Sequence, residues 1–279
     1  MAETGFNDGQ GDNRTMKSVP LFRSKGAATI LMMLLLAGCS QGEAYFRPAV
    51  QQLPDFAAYK DVKEKKKAFF DLMRPIIEDE NRKVTAQRER MMSIRGKLDR
   101  GDTLSESEQA WLMLLASEYN VEMNAIDDQQ AWMLLGRRVD RVPFRLALAQ
   151  AANESNWGTS RFAREGMNLF GQWCFTPGCG IVPAKRPAGM RHEVAIYTSV
   201  NESVAAYIRS INRVYMYMPL RVLRHSIRKG GNRPTAVELA RELSGYSERG
   251  EAYVKEIQAM IRTNYDLMSG EFTVTQQGS

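Results

Sequence analysis

The sequence predicts a mainly α protein with one small β segment. Three observations carry this. Residues 142–152, VPFRLALAQAA, form a helix that is apolar on nearly every side, the pattern of a buried helix. Helix-start signals precede apolar runs at Ser105–Glu108, at Asp127 or Asp128, and at Thr235. Gly and Pro gather in residues 172–199, where Pro177, Gly178, Gly180, Pro183, Pro187 and Gly189 indicate loops and short strands. A chain of 279 residues has room for one globular domain and extra segments, and 44% hydrophobic with 25% charged residues suits a soluble globular protein.

The elements follow in order. Residues 1–15 are polar and lack an apolar pattern, and Met1 and Met16 are both candidate starts. From Met16 the chain reads as an export signal. Lys17, Arg23 and Lys25 precede an apolar run, Ala27 to Leu36, too short to span a bilayer comfortably. Leu36–Ala37–Gly38–Cys39 resembles a bacterial lipoprotein box. That resemblance implies a signal over residues 1–38, cleavage before Cys39 and acylation of that cysteine. Ser40, where an Asp would retain the protein elsewhere, implies the periplasmic face of a Gram-negative outer membrane. Several acyl chains give stable anchoring. Residues 39–60 read as a tether interrupted by Pro48 and Pro54.

Residues 61–139 read as an N-terminal helical region. Phe69, Phe70, Leu72, Met73, Ile76 and Ile77 give its apolar spacing, and Pro75 is expected to start or kink a helix. The charged tail to Leu98 reads as an exposed face that stops near Gly101–Asp102. The next helices run through Trp111–Leu115 and Trp132–Leu135. No sustained heptad supports a separate coiled coil. Residues 140–279 form the second region. Asp140 is a candidate cap for the buried helix, and Pro143 suits its first turn. A short helix is expected over 159–165, a turn at Asn168–Gly171 and a returning strand at 192–197. Further helices open at Asn201, after Met218–Pro219 (basic, ended by Gly230–Gly231) and at Thr235. Tyr246 and Tyr253–Ile261 lie in the closing segment.

The buried helix ends in a carboxylate, Glu154. Such a group is costly unless paired, protonated or facing a cleft. In that setting its pKa rises and it can serve as a general acid. A solvated or ion-paired glutamate is the plainer alternative, and the continuation decides against it. AQAANESNWGTSRFA followed by NLFG resembles the bacterial glucosaminidases that cut peptidoglycan, the family of flagellar-rod hydrolases and autolysins. Its usual pattern is AQAALESGWG, then NLFG. Asn153 and Asn156 depart from it, on either side of an intact Glu154. Within the family the chain looks most like the Bax-like proteins of Gram-negative bacteria. The resemblance covers residues 60–267 and is strongest over 140–260.

The resemblance implies a lysozyme-like helical domain with a small β-hairpin lobe, residues 140–279. It also implies an endo-β-N-acetylglucosaminidase activity on the GlcNAc-β-1,4-MurNAc bond, with Glu154 as acid and no cofactor. Glu193, in the lobe, stands where the family proposes a distant second carboxylate. Glu202 and Glu165 read better as a helix-start charge and a surface charge. Substrate assistance by the GlcNAc N-acetyl group, oriented by Tyr246, is the third option, and all three stay open. Trp157, Asn168, Phe170 and Tyr207 are the expected substrate contacts, with wall packing as the alternative for the tyrosines.

Net charge is +6, and from Arg141 onward 18 Lys+Arg face 11 Asp+Glu, so the basic half holds the motif. No nucleic-acid motif accompanies it, and an acidic polymer such as peptidoglycan fits better. With Cys39 lipidated, Cys174 and Cys179 remain as an even pair in an exported chain, and a disulfide is the default. His192 and His225 are the only histidines and neither has metal-ligand spacing, so no metal site is expected. A muramidase or lytic transglycosylase also uses one helix-end Glu, but NLFG is not its usual second motif. A wall-binding lipoprotein without activity is the non-enzymatic alternative. The sequence names no protein partner.

Overall fold

The computed structural model describes residues 48–270. The export signal, Cys39, the first part of the tether and residues 271–279 lie outside the described residues. The described chain has ten α-helices and a three-stranded antiparallel sheet, a mainly α, lysozyme-like fold.

Helix α1 (Val62–Asp99) is the long brace of the molecule. Asp61 caps it, its carboxylate accepting from Glu64 N at 2.8 Å. Pro75 neither starts nor ends the helix. Phe69, Phe70 and Met73 before it, and Ile76 and Ile77 after it, are buried in one core, and that packing holds the helix through the proline. Helix α2 (Glu106–Glu118) has the Ser105–Glu108 capping box, and α3 (Gln129–Arg138) is capped by Asp128. Both capping signals were in the sequence.

Two cores share α1. The first half of α1 shares a core with α4 (Phe144–Glu154), α6 (Val200–Arg213) and α9 (Glu251–Thr263). The second half, from Met91 onward, packs with α2 and α3 around Leu112, Trp132 and Leu135. Arg88 Nη1 ties α1 to the end of α3, donating to Gly136 O and Val139 O.

Helix α4 runs through the main core, with Leu146 to Ala152 all buried. Its entry is fixed by buried Asn81 of α1, which exchanges two hydrogen bonds with Val142: Nδ2 to Val142 O at 2.8 Å, and Val142 N to Oδ1 at 2.9 Å. Asp140 does not cap α4. Its carboxylate instead accepts from Arg228 Nε and faces Arg224, both from α7 (Met218–Lys229), and Pro143 occupies the cap position without a side-chain bond. The basic α7 is therefore partly a buried strut, and Arg224 donates to Asp140 O, Arg141 O, Arg137 O and Asn212 Oδ1.

After α4 come α5 (Arg161–Gly166) and the lobe. The lobe has strands β1 (Trp173–Cys174), β2 (Gly180–Ile181) and β3 (Glu193–Ala195), with β3 central, one strand more than a hairpin. Then α6 and α7 follow, joined by a 3₁₀ turn. Helix α8 (Ala236–Leu239) starts at the Thr235–Glu238 capping box, and α9 and α10 (Tyr265–Ser269) close the described chain.

Candidate active site

Glu154 is the last residue of α4, and the turn after it is unusual. Asn156, Trp157 and Gly158 are three successive residues with positive φ, at 49°, 57° and 76°. Left-handed backbone costs an ordinary L residue about 1–2 kcal/mol, and Asn bears it better than most. Asn156, which stands where the resemblance expects Gly, therefore keeps the turn. Trp157 is held by contacts: its N–H donates to Ala152 O, and its ring meets Phe69 and Phe70 edge-on at 5.8 and 5.2 Å. A side chain on Gly158 would lie 2.6 Å from Phe56. Ser155 Oγ locks the turn, donating to Ala151 O and accepting from Gly158 N. Trp157 thus clamps the turn to α1.

The turn at Asn168–Gly171 comes back beside Glu154. Gly171 has φ +65°, and a Cβ there would stand 3.9 Å from Glu154 Oε2. Asn168 is buried, and its amide is spent on the fold. Its Nδ2 donates to Gln172 O and Ala195 O, and its Oδ1 accepts from Phe170 N and Gln172 N. Phe170 is buried and stacks on Tyr207 at 4.0 Å. Tyr246 donates its hydroxyl to Phe170 O at 2.9 Å. The structure brings these residues together as the wall behind Glu154, and gives Asn168, Phe170, Tyr207 and Tyr246 supporting contacts.

A buried chain of hydrogen bonds reaches Glu154 itself. Tyr207 donates to Gln150 Oε1 at 2.7 Å, Gln150 Nε2 donates to the Tyr253 hydroxyl at 3.0 Å, and Tyr253 donates to Glu154 Oε1 at 2.8 Å. Tyr253, seven residues beyond Tyr246 and stacked on it at 5.3 Å, is thus the tyrosine that touches the acid. Tyr253 and Gln150 were missed as site residues. Gln150 had left a signal, as the polar side chain in the apolar run Leu146–Ala152, four residues before Glu154.

Burial raises the pKa of the half-buried Glu154. The Tyr253 hydroxyl, Asn153 Nδ2 at 3.4 Å and Arg249 pull it back down, and Glu256 raises it. The Tyr253 hydroxyl donates to Oε1, so a proton carried by Glu154 rides on Oε2, the oxygen beside Gly171.

The other carboxylates are engaged elsewhere. Glu193 Oε1 and Oε2 accept from the Gly178 and Gly180 amides at 3.1 and 2.8 Å, which lower its pKa and pin β3 to the loop. Glu202, in the first turn of α6, accepts from Thr198 N and Oγ1, and Glu165 pairs with Arg161. Cys174 and Cys179 are joined in a disulfide beside Glu193. These three come within 4.8 Å of one another, but with the thiols paired and the carboxylate on two amides they offer no free ligand set. The lobe exposes Trp173 (55%) and Phe175 (68%), with Trp173 stacked on His192 at 3.9 Å.

Glu154, at the end of a helix, raised in pKa by burial and backed by the Gly171 turn, is the candidate catalytic group. Residues 129–266 match the glucosaminidase family model, described as mannosyl-glycoprotein endo-beta-N-acetylglucosaminidase. The chain is also 34% identical over 217 residues to Protein bax of Escherichia coli (strain K12), covering 78% of this chain and 76% of that protein. It belongs to the Bax-like glucosaminidase family. No solved structure matches it.

Proposed function

We propose that the chain is an endo-β-N-acetylglucosaminidase that hydrolyses the GlcNAc-β-1,4-MurNAc bond of peptidoglycan with Glu154 as general acid. The observation that carries this is the Glu154 carboxyl, half-buried, raised in pKa, and bonded through Oε1 to Tyr253 so that Oε2 holds the transferable proton. In the first step that proton passes to the glycosidic oxygen as the C1–O bond breaks.

The engagement of Glu193 by two amides favours the substrate's own N-acetyl oxygen as the group that closes on C1. Water then opens the resulting oxazolinium ring, and Glu154, now a carboxylate, takes the proton from that water. Exposed Trp173 and Phe175 offer apolar faces for sugar rings. The test is a digest of purified peptidoglycan, with products reduced by borohydride and identified by mass spectrometry. Reduced GlcNAc ends support the reading, while reduced or anhydro-MurNAc ends overturn it. We also infer a lipid anchor at Cys39 on the periplasmic face of the outer membrane, supported by Leu36–Cys39. Labelling with a palmitate analogue, lost in Cys39→Ser, tests it.

A further inference from the structure

A cavity lies at the end of α4 away from Glu154. It encloses about 610 Å³ and is bounded by α1, the starts of α4 and α8, and α9–α10. The volume is in the range of small-ligand sites. Phe144, which lines it at the start of α4, is about 15 Å along the helix from Glu154.

Its lining is strongly basic. Arg82, Arg141, Arg145, Arg224, Arg228 and Arg233 face it, against a single lining acid, Glu78. Outside the lining, Asp79 holds Arg82, and Asp140 is shared by Arg224 and Arg228. Among the described residues, Arg141 and Arg233 have no acidic partner. The buried Arg145 Nε has no hydrogen-bond partner. Its guanidinium is nevertheless fixed, lying 4.6 Å from the Phe144 ring centre and 4.0 Å from that of Tyr265, with Nη2 donating to Ser269 Oγ. The N-terminus of α4 opens into the same space without a side-chain cap, and its dipole favours negative charge.

These arginines come from separate elements, with Phe144, Val237, Ile261 and Tyr265 between them. That arrangement suits several carboxylates spaced along a small apolar body better than one compact anion. We propose that this cavity binds a short peptide bearing two or more carboxylates, of the kind that stems from peptidoglycan. The choice of peptide rests on the function proposed above; the charge and geometry of the cavity do not.

The experiment is calorimetric titration of the purified protein with stem peptide released from peptidoglycan by an amidase, and with the same peptide after amidation of its carboxylates. Binding of the acidic peptide should weaken with salt and fall about tenfold in the double variant Arg141→Ala/Arg233→Ala. Both residues are exposed and unpaired, so the fold is spared. Hydrolysis of a peptide-free glycan oligomer should be unchanged. Equal binding of the amidated peptide, or unchanged binding by the double variant, would overturn the proposal. So would displacement of the acidic peptide by lower concentrations of inorganic phosphate or phosphatidylglycerol vesicles. Binding without any glycan cleavage would sink the proposed activity and leave this site standing. Cleavage without peptide binding would do the reverse.

Discussion

Replacing Tyr253 with Phe removes one oxygen from the centre of the buried chain and almost no volume. Two losses follow. The ionised Glu154 loses the hydroxyl that donates to Oε1, and Gln150 Nε2 loses its acceptor. A hydrogen bond to a charged group contributes about 1.5–3 kcal/mol. At about 1.36 kcal/mol per pKa unit, its loss moves Glu154 up by roughly 1–2 units. Water reaching the half-buried carboxyl recovers part of this, so about one unit is expected. The acid works in its protonated form, so the alkaline limb of kcat/KM against pH should shift to higher pH by that amount. The orphaned Gln150 amide should separately cost about 1–3 kcal/mol of stability. Gln150→Leu is the control. It should lower the melting temperature while leaving Tyr253 able to donate to Glu154, so its alkaline limb should move less. The assay is the pH–rate profile of all three proteins beside their thermal melts. An alkaline limb in Tyr253→Phe that stays put or moves to lower pH would refute the reasoning.

Three further outcomes are expected. Gly171→Ala should cost about 1–2 kcal/mol for its left-handed backbone and also slow catalysis, because the new methyl stands beside Glu154 Oε2; melts and turnover together check this. Replacing Cys174 and Cys179 with Ser should release about 2 kcal/mol of constraint, felt in the lobe and not the helical core. Hydrogen exchange should therefore quicken over residues 172–199 and stay unchanged in α4. Because the folded pKa of Glu154 is raised, its contribution to stability is full below the unfolded pKa and is lost as pH rises through the folded value. Glu154→Gln should therefore melt higher than wild type at neutral pH, with the gap closing toward pH 4.

Local chemistry was legible in the sequence where its cause was local. The capping box at Ser105–Glu108 and the cap at Thr235 need only a few adjacent residues, and both formed. The buried α4 was legible because an all-round apolar run has nowhere else to go. Long-range causes were not. Pro75 read as the start or a kink of a helix, but it lies inside α1, whose residues on both sides of it insert into a core supplied by α4, α6 and α9. Asp140 read as a helix cap, but arginines about 85 residues further on claim its carboxylate. Glu193 accepts from the Gly178 and Gly180 amides of its own lobe, contacts that its place in the sequence did not show. Tyr246 and Tyr253 lie in one segment, and only the packing of α9 on α4 decides which hydroxyl meets Glu154.

The central claim is that Glu154 donates the proton to the leaving sugar. The most direct measurement compares wild type and Glu154→Gln on peptidoglycan and on a chitooligosaccharide carrying an aryl group that leaves without protonation. The account predicts that the variant loses cleavage of peptidoglycan by a factor of about 10²–10⁴ while retaining much more of its rate on the aryl substrate. Near wild-type cleavage of peptidoglycan by Glu154→Gln, or an equal loss on both substrates with the fold intact, would contradict it.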